Sequence, residues 1–235
     1  MCSTPQDVQR QLSEAVSIIS THDFPQKWVN LIPQLCNKLA TQDFLVIKGV
    51  MLTGNSIFKR FRFTNKSDAL YADLILCLKE FNSPLIEMYC AMGMAVENYN
   101  TDKEKLAILF ETLRLMTRIF YSLNWQDLPE FYEDNMSIWM REFSKYLAYK
   151  NPLLVDDREE PGPVEKLQAA IIENLNLYAS KYEEEFSPHL SNFTQAVWQL
   201  LINVGPEPKL DILATNGIKF ITAVSSKECN KNLFG

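Results

Sequence analysis

The chain has 235 residues, 47% of them hydrophobic and 22% charged, with only seven glycines. That is ordinary globular composition with material for a sizeable core, and the shortage of turn formers argues against an all-β fold. A formal net charge of −6 argues against a dedicated nucleic-acid binder, which would present a positive field to phosphates.

Apolar residues recur three and four positions apart along the whole chain, bounded by caps and prolines, which predicts helix after helix. The first opens at Thr4-Pro5, carries the stripe Val8, Leu12, Ala15, Val16 and Ile19, and stops before Asp23-Phe24-Pro25. The second carries Trp28, Leu31, Ile32, Leu35 and Leu39. Pro33 falls inside that stripe, so the regular helix begins about one turn earlier, where a missing N–H costs little. Asp43 is the expected N-cap of a third, with Ile47, Val50, Met51, Phe58 and Phe61 on one side, and Gly49 and Gly54 allow a neighbour to approach closely. A fourth follows Ser67 and shows Tyr71, Leu74, Ile75 and Leu78, then Leu85, Met88, Met92 and Val96; Pro84 should kink or split it.

Thr101-x-x-Glu104 reads as a capping box for a fifth helix with the stripe Leu106, Leu109, Phe110, Leu113, Met116 and Phe120. The sixth opens at Asp127-Leu128-Pro129-Glu130 and carries Phe131, Tyr132, Met136, Trp139, Met140, Phe143 and Leu147. The seventh follows Gly162-Pro163 with Leu167, Ile171, Leu175, Tyr178 and Tyr182. Ser187-Pro188 and Gly205-Pro206 bracket the eighth, around Leu190, Phe193, Val197, Leu200, Leu201 and Val204. A ninth runs from Leu210 to Val224.

Helices without a strand leave a bundle or a solenoid. Their order favours the solenoid. Asp23-Phe24-Pro25, Asp127-Leu128-Pro129 and Phe186-Ser187-Pro188 each precede a helix bearing a tryptophan, Trp28, Trp139 or Trp198. That is a degenerate helical-hairpin repeat. The expected fold is an all-α, HEAT-repeat solenoid of four to five hairpins, one segment spanning 1–235. The stretch 151–163, with Asp156-Asp157-Arg158-Glu159-Glu160 between prolines, reads as an exposed acidic loop.

The residues offer little chemistry. His22 and His189 are the only histidines, and neither has a partner at metal-ligand spacing. There is no Gly-rich phosphate loop and no G-x-S-x-G elbow. Carboxylates such as Glu133-Asp134 and Glu183-Glu184-Glu185 sit on wet helix faces. Cys2, Cys36, Cys77, Cys90 and Cys229 form no C-x-x-C pair and read as reduced, mostly packed thiols. The polar stretch Met1 to Gln11 lacks the pattern of a signal peptide, and charges interrupt every apolar run below membrane-spanning length. The Asn-x-Ser/Thr triplets at Asn65, Asn135 and Asn192 are therefore read as chance matches. We expect no enzyme, no cofactor, no metal, no nucleic acid and no membrane insertion. Lys59-Arg60-x-Arg62, with Lys66 nearby, is the one positive concentration. It reads as a solvated helix end, with docking to an acidic protein surface as the alternative.

Several strings go further. Gln11 to Ile19 followed by His22-Asp23-Phe24-Pro25-Gln26-Lys27-Trp28 resembles an early repeat of the importin-β superfamily of nuclear transport receptors. Ser56 to Arg62, Phe120 to Met136, Lys181 to Phe186 and Lys231 to Phe234 narrow the resemblance to its exportin-2 family, also called cellular apoptosis susceptibility proteins. Val29 departs from it, standing where the family usually has another proline. The resemblance implies export of importin-α from the nucleus together with Ran-GTP, shuttling between nucleus and cytoplasm, and contact with the nuclear pore in transit. It also implies that this chain is an N-terminal-half fragment lacking the first repeats, with apolar faces open at both ends. Partners would be gripped by the second helices of each pair, roughly 29–40, 68–98, 128–147 and 188–204. The resemblance names no individual contact residue. The alternatives are a Ran-independent HEAT scaffold and a transport-incompetent fragment.

Overall fold

The computed structural model describes residues 5–155, 160–204 and 210–226. Among the described residues there is no β-strand, and the helices fall into two compact units, Met1–Asp127 and Leu128–Gly235. The first holds α1 (Gln6–Asp23), α2 (Leu31–Leu39), α3 (Phe44–Phe58), α4 (Arg60–Phe63), α5 (Asp68–Asn98) and α6 (Lys103–Leu123). The second holds α7 (Glu130–Asp134), α8 (Met136–Leu147), a 3-10 turn at Pro152–Leu154, α9 (Pro163–Lys181), α10 (Glu183–Val204) and α11 (Asp211–Ser225).

In the first unit α3 is central. It packs between α1 and α6, while α2 and α5 form a second layer against α3 and α6. Its neighbour α6 is buried over most of its girth, with Glu111, Arg114 and Arg118 on the remaining face. Leu106, Leu109, Phe110, Leu113, Met116, Ile119, Phe120 and Leu123 are all fully buried, each stabilising by roughly 1.5–3 kcal/mol relative to exposure. Gly54 lets the two helices meet: a Cβ there would lie 3.3 Å from Ile119 Cδ1. In the second unit α9 and α11 lie side by side, with α10 packed against both and α8 against α9 and α10. Asn216 Nδ2 donates to the Ala169 carbonyl and Asn176 Nδ2 to the Asn216 carbonyl, pinning α11 to α9 at 3.0 and 3.1 Å.

Local chemistry sets most boundaries. Asp43 accepts from the amides of Leu45 and Val46, and Ser67 from that of Leu70, so the predicted caps of α3 and α5 form. Pro163 sits at the first helical position of α9 after Gly162, as expected. Pro33 lies in the first turn of α2, where its missing amide is harmless.

Six expectations are corrected. The predicted third helix breaks at Lys59 into α3 and α4, and the sixth breaks at Asn135 into α7 and α8. Pro84 does not split α5, which continues through it for 31 residues. The cap of α6 is Asp102 rather than Thr101; its carboxylate takes the Lys105 amide at 3.0 Å and pairs with Lys105 Nζ. α10 starts at Glu183, ahead of the expected Ser187, so Pro188 lies inside it. The buried Phe186 ring, against Tyr178, Phe193 and Phe220, holds that early turn in place. The closing Gly205-Pro206 and the opening Thr4 lie outside the described residues.

The sixth correction concerns α1. Its predicted core stripe faces largely outward: Val8, Leu12, Ala15 and Ile19 are exposed and Val16 is half-buried, while Ser13, Ser17 and Ser20 are buried. Ser17 Oγ donates to the Ser56 carbonyl of α3 at 2.5 Å, and Ser13 Oγ lies 3.4 Å from Thr53 Oγ1. Small hydroxyl side chains let the two helix backbones approach while each polar atom keeps a partner.

Candidate partner-binding surface

The basic string, expected as a solvated helix end with docking as the alternative, is instead engaged within the fold. Lys59 Nζ lies 2.6 Å from Glu14 of α1, and Arg60 is paired with Asp73 of α5. The Arg60 guanidinium also lies over the rings of Phe24 and Phe61, 5.8 and 5.2 Å from their centroids. Arg62 sits between Phe63 and Tyr121 at 5.2 and 5.5 Å. Gln126 Nε2 then donates to the Phe61 carbonyl at 2.6 Å. Thus α4 is a joint that ties α1, α5 and the end of α6 together, and only Lys66 of the predicted patch stands fully exposed.

The histidines form no site. His189 is inside α10, its ring 6.5 Å from that of Phe186, and burial pushes its pKa down, which keeps it neutral. Cys77 is buried and burial pushes its thiol up to about 12; Cys36 is half-buried and pushed up to about 11, first by burial and then by Glu80. Neither is a poised thiolate. Cys2 and Cys229 lie outside the described residues. Among those residues no group of three His, Cys, Asp or Glu could hold a metal ion, and no helix is long and apolar enough to cross a membrane. Of the acidic loop, Asp156 to Glu159 lie outside the described residues. On its flanks Leu154 is buried and Glu160 pairs with Lys166 at 3.4 Å.

Of the second helices, α5 and α10 present large exposed apolar side chains, as do α1, Phe63 and, on α11, Ile212 and Ile218. On α5, Tyr71, Ile75, Leu76 and Met94 are 44%, 46%, 46% and 62% exposed, interleaved with exposed Lys79, Glu80 and Glu87. In the other unit, Trp198 and Ile202 stand one turn apart on the open face of α10, 50% and 61% exposed. The three tryptophans that marked the repeat therefore serve differently. Trp139 is fully buried between Tyr132 and Phe143, Trp28 lines a cleft, and Trp198 faces out. Sequence reading missed the α5 face because its buried and exposed stripes are both apolar; Tyr71 and Ile75 were read as core. Large side chains on a second helix face are contact candidates only once exposure is known.

These features define a class: an all-α HEAT-repeat protein whose surface suits binding rather than catalysis. Comparison with known proteins is specific. The Cse1 family model matches residues 57–235. Exportin-2 of Pagrus major is 44% identical over 235 residues, covering 100% of this chain and 24% of that protein, and exportin-2 of Homo sapiens is 45% identical over the same span. A solved structure of the exportin Cse1 in its cargo-free, cytoplasmic state superposes with a TM-score of 0.95 at 36% identity, covering 100% of this chain and 26% of that one. The chain belongs to the exportin-2/Cse1 family. It shares that protein's HEAT-repeat solenoid fold and spans about a quarter of the length of the relatives it matches. Exportins are transport receptors rather than enzymes.

Proposed function

We propose that this chain is a segment of an importin-α export receptor, working with Ran-GTP and shuttling between nucleus and cytoplasm. The observation that carries the reading is the match over the whole chain, 44% in sequence and 0.95 in TM-score, to exportin-2 and Cse1. The parent binds importin-α and Ran-GTP together in the nucleus and releases both in the cytoplasm once Ran hydrolyses its GTP. Each ligand favours the same solenoid curvature, so each tightens the other's binding. The nucleotide chemistry belongs to Ran, and contact with the nuclear pore accompanies passage. Within this segment the exposed faces of α5 and α10 are the partner-binding surfaces.

The test is capture of purified importin-α by this chain, with and without Ran locked in its GTP state. Capture strengthened by Ran-GTP supports the reading. No capture in either condition makes the chain a transport-incompetent piece of the family, and capture of importin-α indifferent to Ran-GTP favours a scaffold.

A further inference from the structure

The stretch from Phe63 to Ala69, which leads from α4 into α5, is exposed at every position. Its neighbours on both sides are present: α5 packs on α2 and on α6, and α4 packs on α6. The stretch is open because it is the turn within a helix pair. At Thr64 the chain leaves α4 in an extended conformation, φ −93° and ψ 138°, with the Thr64 amide donating to the Arg60 carbonyl. The Thr64 hydroxyl makes no hydrogen bond. Cations flank it at equal spacing, Arg62 two before and Lys66 two after. Arg62 is half-buried, and Lys66 is exposed and without an ion pair.

No other exposed serine or threonine among the described residues combines these features. Most lie within helices. Ser67 is extended, but its Oγ accepts from the Leu70 amide at 3.2 Å as the cap of α5. Ser226 is helical, and its Oγ donates to the Ala223 carbonyl. Thr101 follows Asn98, Tyr99 and Asn100, with no cation among them.

We propose that Thr64 is a phosphorylation site for a protein kinase that reads basic residues on both sides of its acceptor. Such an enzyme needs an extended segment with a free hydroxyl, and an acidic cleft selects the flanking cations. Thr64 Oγ1 attacks the γ-phosphorus of a nucleoside triphosphate, and the bond from that phosphorus to the bridging oxygen breaks. The nucleoside diphosphate leaves, and the hydroxyl proton passes to the kinase's catalytic carboxylate. The product is stabilised where it forms, because a phosphate of about −2 charge then stands between two cations. The inference stands whether or not importin-α is captured.

The test incubates the full chain with magnesium, a nucleoside triphosphate and, in separate reactions, purified kinases selective for basic, acidic or proline-flanked acceptors. The basic-selective kinase should transfer a phosphate that mass spectrometry of the digested chain maps to Thr64. Thr64→Ala should abolish that transfer, and Thr64→Ser should restore it. Lys66→Glu, at an exposed position, should slow it about tenfold, as a like charge facing an acidic cleft does. Transfer to the folded chain should run within about tenfold of transfer to a synthetic peptide of residues 58–70, because no local unfolding precedes it. A phosphate placed elsewhere by the basic-selective kinase, or transfer unchanged by Thr64→Ala, overturns the proposal. So does faster modification of Thr64 by either of the other kinases, or a peptide that is modified while the folded chain is not.

Discussion

Pro84 sits in the middle of α5 and has no amide hydrogen, so the Glu80 carbonyl one turn earlier lacks its helical donor. The structure supplies another. Cys36 Sγ of α2 donates to that carbonyl at 3.3 Å, and its thiol, pushed up to about 11, stays protonated at neutral pH. The helix, expected to kink or split there, is continuous through the proline. If the thiol replaces the missing amide, the two residues must be coupled. Cys36→Ala should cost about 0.5–1 kcal/mol, Cys36→Ser should cost less, and Cys36→Ala in a Pro84→Ala background should cost almost nothing, because the backbone donor is restored. Urea unfolding of the four chains closes the cycle; equal costs in both backgrounds would separate the thiol from the carbonyl. Such a bond is illegible in sequence, where Cys36 and Pro84 lie 48 positions apart. Short-range chemistry was legible: Asp43 and Ser67 cap where their side chains and the following apolar runs say they should. At α6 two acceptors stand side by side, and only the structure decides that Asp102, which also draws Lys105, is the cap.

At the scale of elements, the periodicity found the stretches that become helices but ran α3 into α4 and α7 into α8, and it assigned the wrong inner face to α1. A 3.6-residue stripe states that a face will be covered, not by what. In α1 the serine face packs on α3, and most of the apolar stripe is left exposed. The break between α3 and α4 was hidden for a related reason. Phe58 and Phe61 continue the stripe of α3, and both rings are fully buried and stacked 6.3 Å apart. What redirects the chain is the basic string, each cation drawn to a different element. Arg60 carries the most weight, because its guanidinium pairs with Asp73 and lies over two rings with only 12% of the side chain exposed. Arg60→Ala should destabilise by about 1–3 kcal/mol, leaving Asp73 partly buried without its cation. Arg60→Lys should recover only part of that, because an ammonium cannot lie flat between rings. Lys59→Ala, removing a more exposed pair, should cost under about 1 kcal/mol. Thermal melts of the three variants rank them; a lysine as good as the arginine would show that charge alone holds the joint.

At the scale of the whole molecule, the residues that identify the family and those proposed to face partners are different sets. Ser56–Arg62 and the start of the 120–136 string meet through Arg62 with Tyr121 and Gln126 with Phe61; Tyr132 and Phe186 are core. Strings like these are constrained by packing, which is why they reveal the fold and why they name no contact. The α5 face has no string at all, only Tyr71, Ile75, Leu76 and Met94 standing open. Its role is therefore tested by separating stability from binding. Ile75→Glu with Leu76→Glu replaces exposed side chains by good helix formers, so the unfolding free energy from urea titration should move by no more than about 0.5 kcal/mol per site. Ran-GTP-supported capture of importin-α should nevertheless fall by about tenfold or more, since apolar anchors dominate such contacts. Ile18→Glu, also exposed but on α1, is the control and should leave capture intact. Loss with both variants would trace to a general effect of added negative charge on a chain already at −6, and capture untouched by either would move the importin-α contact off α5 to the α10 face around Trp198.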